Sequence, residues 1–220
     1  MRNWGNYSCS DWNFDCVENK KAVQNITKSL NLEFKQNKTT LKESIAFNKA
    51  ILKSTKDMMS LIGQQEEVLN NHNLDSLISI SIDFREYTPS QVVNADLIAS
   101  VKLNLMPEDL RLLLFEWSIA LEGKKEGFKT MDEIAQTLLL PYLTKNASMK
   151  NIDSYSFVNW EEKTVLATNN YKMFQNLEFE NNMDNHVWDI ANYLISLENL
   201  EKATDKVIEK TNKYRKHNKS

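Results

Sequence analysis

The chain is poor in the residues that bend a backbone: 220 residues contain four Gly and three Pro. Turn-rich β architectures use both freely, so the shortage argues against many short strands and for long helices. Long hydrophobic runs are missing as well. No stretch approaches the roughly 20 apolar residues that cross a bilayer as a helix, and no basic flank with an apolar core marks a secretory leader. As given, the chain reads as soluble. Charge of one sign is also missing. The formal net charge is −3, and nucleic-acid binding needs a concentrated cationic surface. Cysteine is confined to Cys9 and Cys16, in "CSDWNFDC". They read as unpaired thiols in a leader segment, with a disulfide across a short loop as the alternative. Helical backbone there would hold their Cα atoms about 10 Å apart, too far for a bridge. No second Cys or His pair supports zinc.

Catalytic signatures are absent too. There is no HExxH, no Gly-rich phosphate loop, no GxSxG and no CxxC pair. The histidines, His72, His186 and His217, fall in a linker, a long helix and a tail. His186 and Asp189 are spaced to share a helix face, but a metal site would need further ligands, and a histidine on a polar face is expected. Glu178 and Glu180 lie two apart and point to different sides of a helix. Glu66, Glu67, Glu161 and Glu162 read as solvated acids. Asn-x-Ser/Thr triplets at Asn6, Asn25, Asn37 and Asn146 read as by-products of an Asn-rich composition. No residue is assigned a catalytic, cofactor-binding or metal-binding role, and an enzyme is not expected.

What is present is helical periodicity. Residues 15–62 contain no Gly and no Pro, and apolar residues such as Leu30, Phe34, Leu41, Ile45, Ile51 and Met58 recur at helical spacing. Gly63 follows where a left-handed C-cap belongs. The segment 63–73 reads as a linker. The β-branched content of residues 74–88 suggests a strand, yet no partner strand is evident, so a helix is expected. Thr88 and Pro89 read as the cap and first position of the next helix. Pro107 resets the chain before "PEDLRLLLFEWSIAL". Gly123 and Gly127 bracket a short hinge, and a further helix kinks or ends around Pro141. Residues 146–160 read as loop or short helix. The helical pattern resumes at about 170 and runs to 215.

The expected fold is all-α: an elongated helical bundle with long antiparallel N- and C-terminal helices and a middle of short helices. A stub (1–14) precedes a single helical domain (15–220). Folding the two long helices together covers both apolar stripes, because their lengths match. Each Leu or Ile removed from water contributes roughly 1.5–3 kcal/mol, against roughly 0–1 kcal/mol for a surface ion pair. These are gross values, opposed by chain entropy. Core packing is the default for the aromatics Phe115, Trp117, Tyr142, Tyr155, Phe157, Trp160, Tyr171 and Trp188. An aromatic-lined ligand pocket between the short helices is the sharper alternative. In "LEFENN", Asn181 or Asn182 is expected to cap a helix start.

Three sets of residues resemble the DUF6090-type family of uncharacterised, mostly Bacteroidetes, membrane-anchored proteins. Trp12 and Asn13, followed by "ENKK", stand where that family has a Trp-Asn after its membrane helix. Ala99, Ser100, Leu103, Leu105, Leu110, Arg111 and Leu114 resemble its middle motif, and Phe179, Glu180 and Asn181 its late one. Two departures stand out: the membrane helix is missing, and the "SG" of the middle motif is poorly kept. The resemblance implies either an extramembrane domain on the outer side of the inner membrane or a soluble relative. It implies no catalytic residue. The expected function is a non-enzymatic interaction or sensor-like module with a protein partner or self-association, without nucleic acid, reaching a membrane only through an N-terminal anchor. A cytoplasmic helical scaffold and a small-ligand binder are the alternatives.

Overall fold

With no proline to interrupt its hydrogen bonds, the first helical stretch runs unbroken as α1 (Cys9–Met59). The computed structural model describes the backbone of residues 9–166 and 169–217, and the side chains of 19–98, 100, 102–166 and 169–215. The side chains of Cys9, Trp12, Asn13, Cys16 and His217, together with Asn6, lie outside the described residues. Gly63 ends the turn after α1 with φ +80°, and its N–H donates to the Phe174 carbonyl at 2.9 Å.

Short helices follow: α2 (Glu66–Leu69), α3 (Leu74–Ser81) and α4 (Val92–Ala99), then a 3-10 turn (Val101–Leu105). Next come α5 (Glu108–Ile134), α6 (Leu140–Asn146), α7 (Met149–Asp153), α8 (Asn170–Phe174) and the 41-residue α9 (Leu177–His217). Among the described residues there is no strand.

The structure corrects several local expectations. Helix α3 stops at Ser81, and the chain then runs without regular structure past Thr88 and Pro89, which start no helix. Gly123 and Gly127 form no hinge, because both lie inside α5. A Cβ on Gly127 would sit 3.1 Å from Ser196 Oγ and 3.6 Å from Tyr193 Cα. The missing side chain therefore allows α5 and α9 to approach closely. At Pro141 the helix is not broken. A π turn (Ala135–Leu139) precedes it, with the Leu140 N–H donating to the Ala135 carbonyl. Widening the ring by one residue re-registers the carbonyls that proline cannot serve. The last helical run is interrupted at Gln175 and Asn176, which separate α8 from α9. The cap of α9 is Asn176, whose Oδ1 accepts from the Glu178 N–H at 2.7 Å. Asn181 and Asn182 lie inside the helix.

Within the chain the contacts gather into two compact units, the first assembled from three stretches and the second from two. Unit 1 comprises Met1–Thr40, Thr88–Ala120 and Leu200–Ser220. Its core holds Leu30, Phe34, Leu97, Leu114, Trp117 and Val207, all at most 2% exposed. Phe34 and Trp117 meet at 5.0 Å between ring centres, and the Trp117 indole N–H donates to Thr204 Oγ1 at 3.1 Å. Helices α1 and α9 run antiparallel here, as the pairs Asn31–Thr211 and Lys38–Asp205 require. Asn31 is wholly buried. It donates to Thr211 Oγ1 at 2.8 Å and accepts from Arg215 Nη1 at 2.8 Å. Sliding α9 by one turn would strand that amide without partners, at about 1–3 kcal/mol, so Asn31 fixes the register.

Unit 2 comprises Leu41–Tyr87 and Leu121–Asn199. Its core gathers Met58, Leu69, Ile78, Leu139, Phe174 and Phe179 from both long helices and the short ones. Lys49 and Glu198 pair α1 with α9 here.

The segment after α3 is held by buried polar side chains in each unit. In unit 2, Lys124 is 1% exposed, and its Nζ donates to Glu86 Oε1 at 2.7 Å and to the Tyr87 carbonyl at 2.6 Å. The Tyr87 N–H donates to the hydroxyl of Tyr193 at 2.8 Å. Burial pushes that phenol's pKa up to about 12. In unit 1, Asn37 exchanges two hydrogen bonds with the Ser90 backbone. That use leaves the Asn37 amide, in an Asn-x-Thr triplet, 3% exposed inside the unit.

Candidate functional site: an apolar loop and two grooves

Packing accounts for some of the aromatics, and the rest stand in water. Trp117 and Tyr142 are buried as core packing requires, whereas Phe115 (65%), Phe157 (94%), Trp160 (51%) and Trp188 (64%) are exposed. Phe157 and Trp160 belong to the loop between α7 and α8, where Val165 is 99% and Leu166 75% exposed. The loop holds a defined course. The Ser156 and Asn159 N–H groups donate to the Asp153 carbonyl, and Asn159 takes a left-handed φ of 49°. The Thr164 N–H donates to Asn151 Oδ1 at 2.8 Å and the Leu166 N–H to Thr164 Oγ1 at 3.2 Å. Asn73 Nδ2 donates to the Tyr155 hydroxyl at 2.7 Å, tying the loop to the start of α3. A loop pinned at several points by hydrogen bonds, with its large apolar side chains in solvent, is a presented surface.

The loop also walls two grooves of unit 2. The first, of about 720 Å3, lies among α2, α3, α8 and Lys163. Inside it Asp75, 9% exposed, accepts from Asn170 Nδ2 at 3.0 Å, which leaves Asn170 Oδ1 buried without a partner. The second, of about 450 Å3, lies among α6, α7, α8 and the loop residues Thr164 and Leu166. Both are lined chiefly by polar side chains. The aromatic lining expected of a pocket between the short helices is reduced to Tyr171 in the first and Tyr142 in the second.

His186 is not on a polar face. It is fully buried, its ring 5.5 Å from that of Phe84, with Nε2–H donating to the Ser81 carbonyl at 2.9 Å and Nδ1 without a partner. Burial pushes its pKa below the ordinary histidine value, with the Ser81 bond opposing more weakly. Asp189 is half-buried, which raises its carboxyl pKa. Among the described residues no three His, Cys, Asp or Glu side chains gather to hold a metal. Glu178 and Glu180 stand in the first turn of α9, where acids suit the positive helix end. Glu66 lines the first groove, while Glu67, Glu161 and Glu162 are exposed.

Two features escaped the sequence. Lys124 sits in "EGKKEG", which reads only as a short hinge, and it is buried where it meets the Glu86 carboxylate and the Tyr87 carbonyl. Exposure of the 155–166 apolar residues was equally hidden, because composition does not separate a presented aromatic from a core one. Compared with family models, curated proteins and solved structures, the chain matches none.

Proposed function

We propose that this protein is a non-enzymatic helical binding module that presents the 155–166 loop to a protein partner. The observation that carries the reading is the near-complete exposure of Phe157 and Val165 on a hydrogen-bonded loop. Covering large apolar side chains held in water lowers the free energy, and aromatics are enriched among interface anchors. Glu161 and Glu162, exposed beside them, favour a partner whose apolar pocket has a basic rim. Placement on the outer side of a bacterial inner membrane rests on the family resemblance. No described helix is long and apolar enough to cross a membrane. Self-association is the second reading, supported by Leu112, Phe115 and Ile119 (each at least 58% exposed), which form an apolar stripe on α5 in unit 1.

The test is site-specific photo-crosslinking in the native host, with a benzoyl-phenylalanine at position 157 and a control at exposed Thr130. A discrete adduct from position 157 alone is expected, and it should disappear when Trp160 and Val165 become serine. Identical products from both positions would dismiss the reading, and an adduct with a second copy would favour self-association.

A further inference from the structure

We propose that the groove among α6, α7 and α8 binds a small oxyanion, a phosphate monoester or a carboxylate. The claim stands apart from the loop's partner. It rests on what the groove offers a ligand. Two lysines, Lys145 and Lys172, line it and no Asp or Glu does, in a chain whose net charge is −3. No ion pair is formed by either lysine among the described residues, so neither ammonium group is bonded to a carboxylate, and the nearest acidic charge acting on the groove wall is that of Glu178 on Tyr142.

The neutral side chains repeat the pattern. Ser148 Oγ accepts from the Asn151 N–H, Thr164 Oγ1 from the Leu166 N–H, Asn169 Oδ1 from the Lys172 N–H and Asn176 Oδ1 from the Glu178 N–H. Each has committed its oxygen to the backbone. Each still has its hydroxyl proton or amide NH2 group to donate, beside one remaining acceptor lone pair. Asn146 alone is turned the other way, its Nδ2 donating to the Tyr142 carbonyl.

Tyr142 supplies the independent sign of a missing partner. It forms part of the groove wall, is 6% exposed and stacks on Phe179 at 5.8 Å between ring centres. Its hydroxyl is buried with no hydrogen-bond partner. A buried hydroxyl left unbonded is costly and uncommon, and an acceptor bound in the groove would satisfy it once the wall at Tyr142 shifts to admit it. Burial, and then the charge of Glu178, raises its pKa, so the group keeps its proton and remains a donor. Donors and cations converging on a groove of about 450 Å3 select an anion with several acceptor oxygens, and the volume suits a small metabolite.

The experiment titrates the full chain with inorganic phosphate and with succinate, using calorimetry and thermal shift, against sodium chloride at matched ionic strength. Saturable binding of phosphate or succinate is expected, and the tighter of the two identifies the headgroup class. K145Q/K172Q should weaken binding about tenfold or more, because two charge-assisted contacts are lost. Y142F should weaken it several-fold while leaving the melting temperature of the free protein unchanged or higher, because the hydroxyl has no bond to lose. A response to phosphate and succinate no larger than to chloride would overturn the proposal, as would unaltered binding by K145Q/K172Q.

Discussion

Glu33 offers the most direct test of how α4 is held, because the cap of that helix comes from another helix. The residue before α4, Gln91, makes no side-chain cap, and the first turn carries no acid. Both roles fall to Glu33 of α1, 7% exposed. Its Oε1 accepts from Ser90 Oγ at 3.0 Å and the Val93 N–H at 3.1 Å, and its Oε2 from the Asn94 N–H at 3.2 Å. In E33Q one oxygen survives and an NH2 group faces a backbone N–H. One charge-assisted bond, about 1.5–3 kcal/mol, is lost, and the favourable charge at the helix N-terminus, about 0.3–2 kcal/mol, goes with it. The sum is about 2–5 kcal/mol. We expect E33Q to unfold at lower denaturant concentration by that amount. Amide exchange at Val93 and Asn94 should speed up by a factor of at least about 30, the equivalent of the lower bound. Exchange at those two amides within about twofold of wild type would refute the reasoning and leave α4 held by the packing of Leu97 alone.

Two further outcomes follow from individual side chains. His186 is neutral when folded and its pKa is lowered from 6.5, so below about pH 6.5 the unfolded chain binds a proton that the folded chain refuses. Its stabilising contribution is present above that pH and fades as pH falls, so denaturation midpoints measured from about pH 7.5 to about pH 5 should drop in wild type and drop less in H186Q; equal slopes would exclude His186 as the cause. A Cβ at Gly123 meets nothing within 4 Å, so G123A should raise stability by about 0.5–1 kcal/mol through chain entropy alone; a loss of stability would mean that α5 bends there after all.

Much of the fold was legible because helical periodicity is a local property. Leu30, Phe34, Leu41 and Met58 announce one face of α1, and Gly63 announces its end, through spacing and backbone conformation that no distant residue alters. The misreadings occurred where local signals compete with distant ones. Thr88 and Pro89 have the chemistry of a helix start, yet Asn37 and Glu33, more than fifty residues upstream, take the Ser90–Asn94 backbone and move the start to Val92. Gly127 reads as flexible in isolation, and only Ser196 and Tyr193 reveal it as the site of a close helix approach.

The candidate sites were the least legible part. Sequence alone determined that the chain is helical, that its two ends form the longest helices and that it carries no recognised catalytic signature, because periodicity and motif spacing are written along one strand of the chain. Tertiary structure decided which side of each side chain meets water. It buried Lys124 and His186, exposed Phe157 and Val165, and brought Lys145 and Lys172 to one groove with a hydroxyl that has nothing to bond. Burial and convergence depend on residues far apart in the chain, and so they are properties of packing that no local pattern encodes.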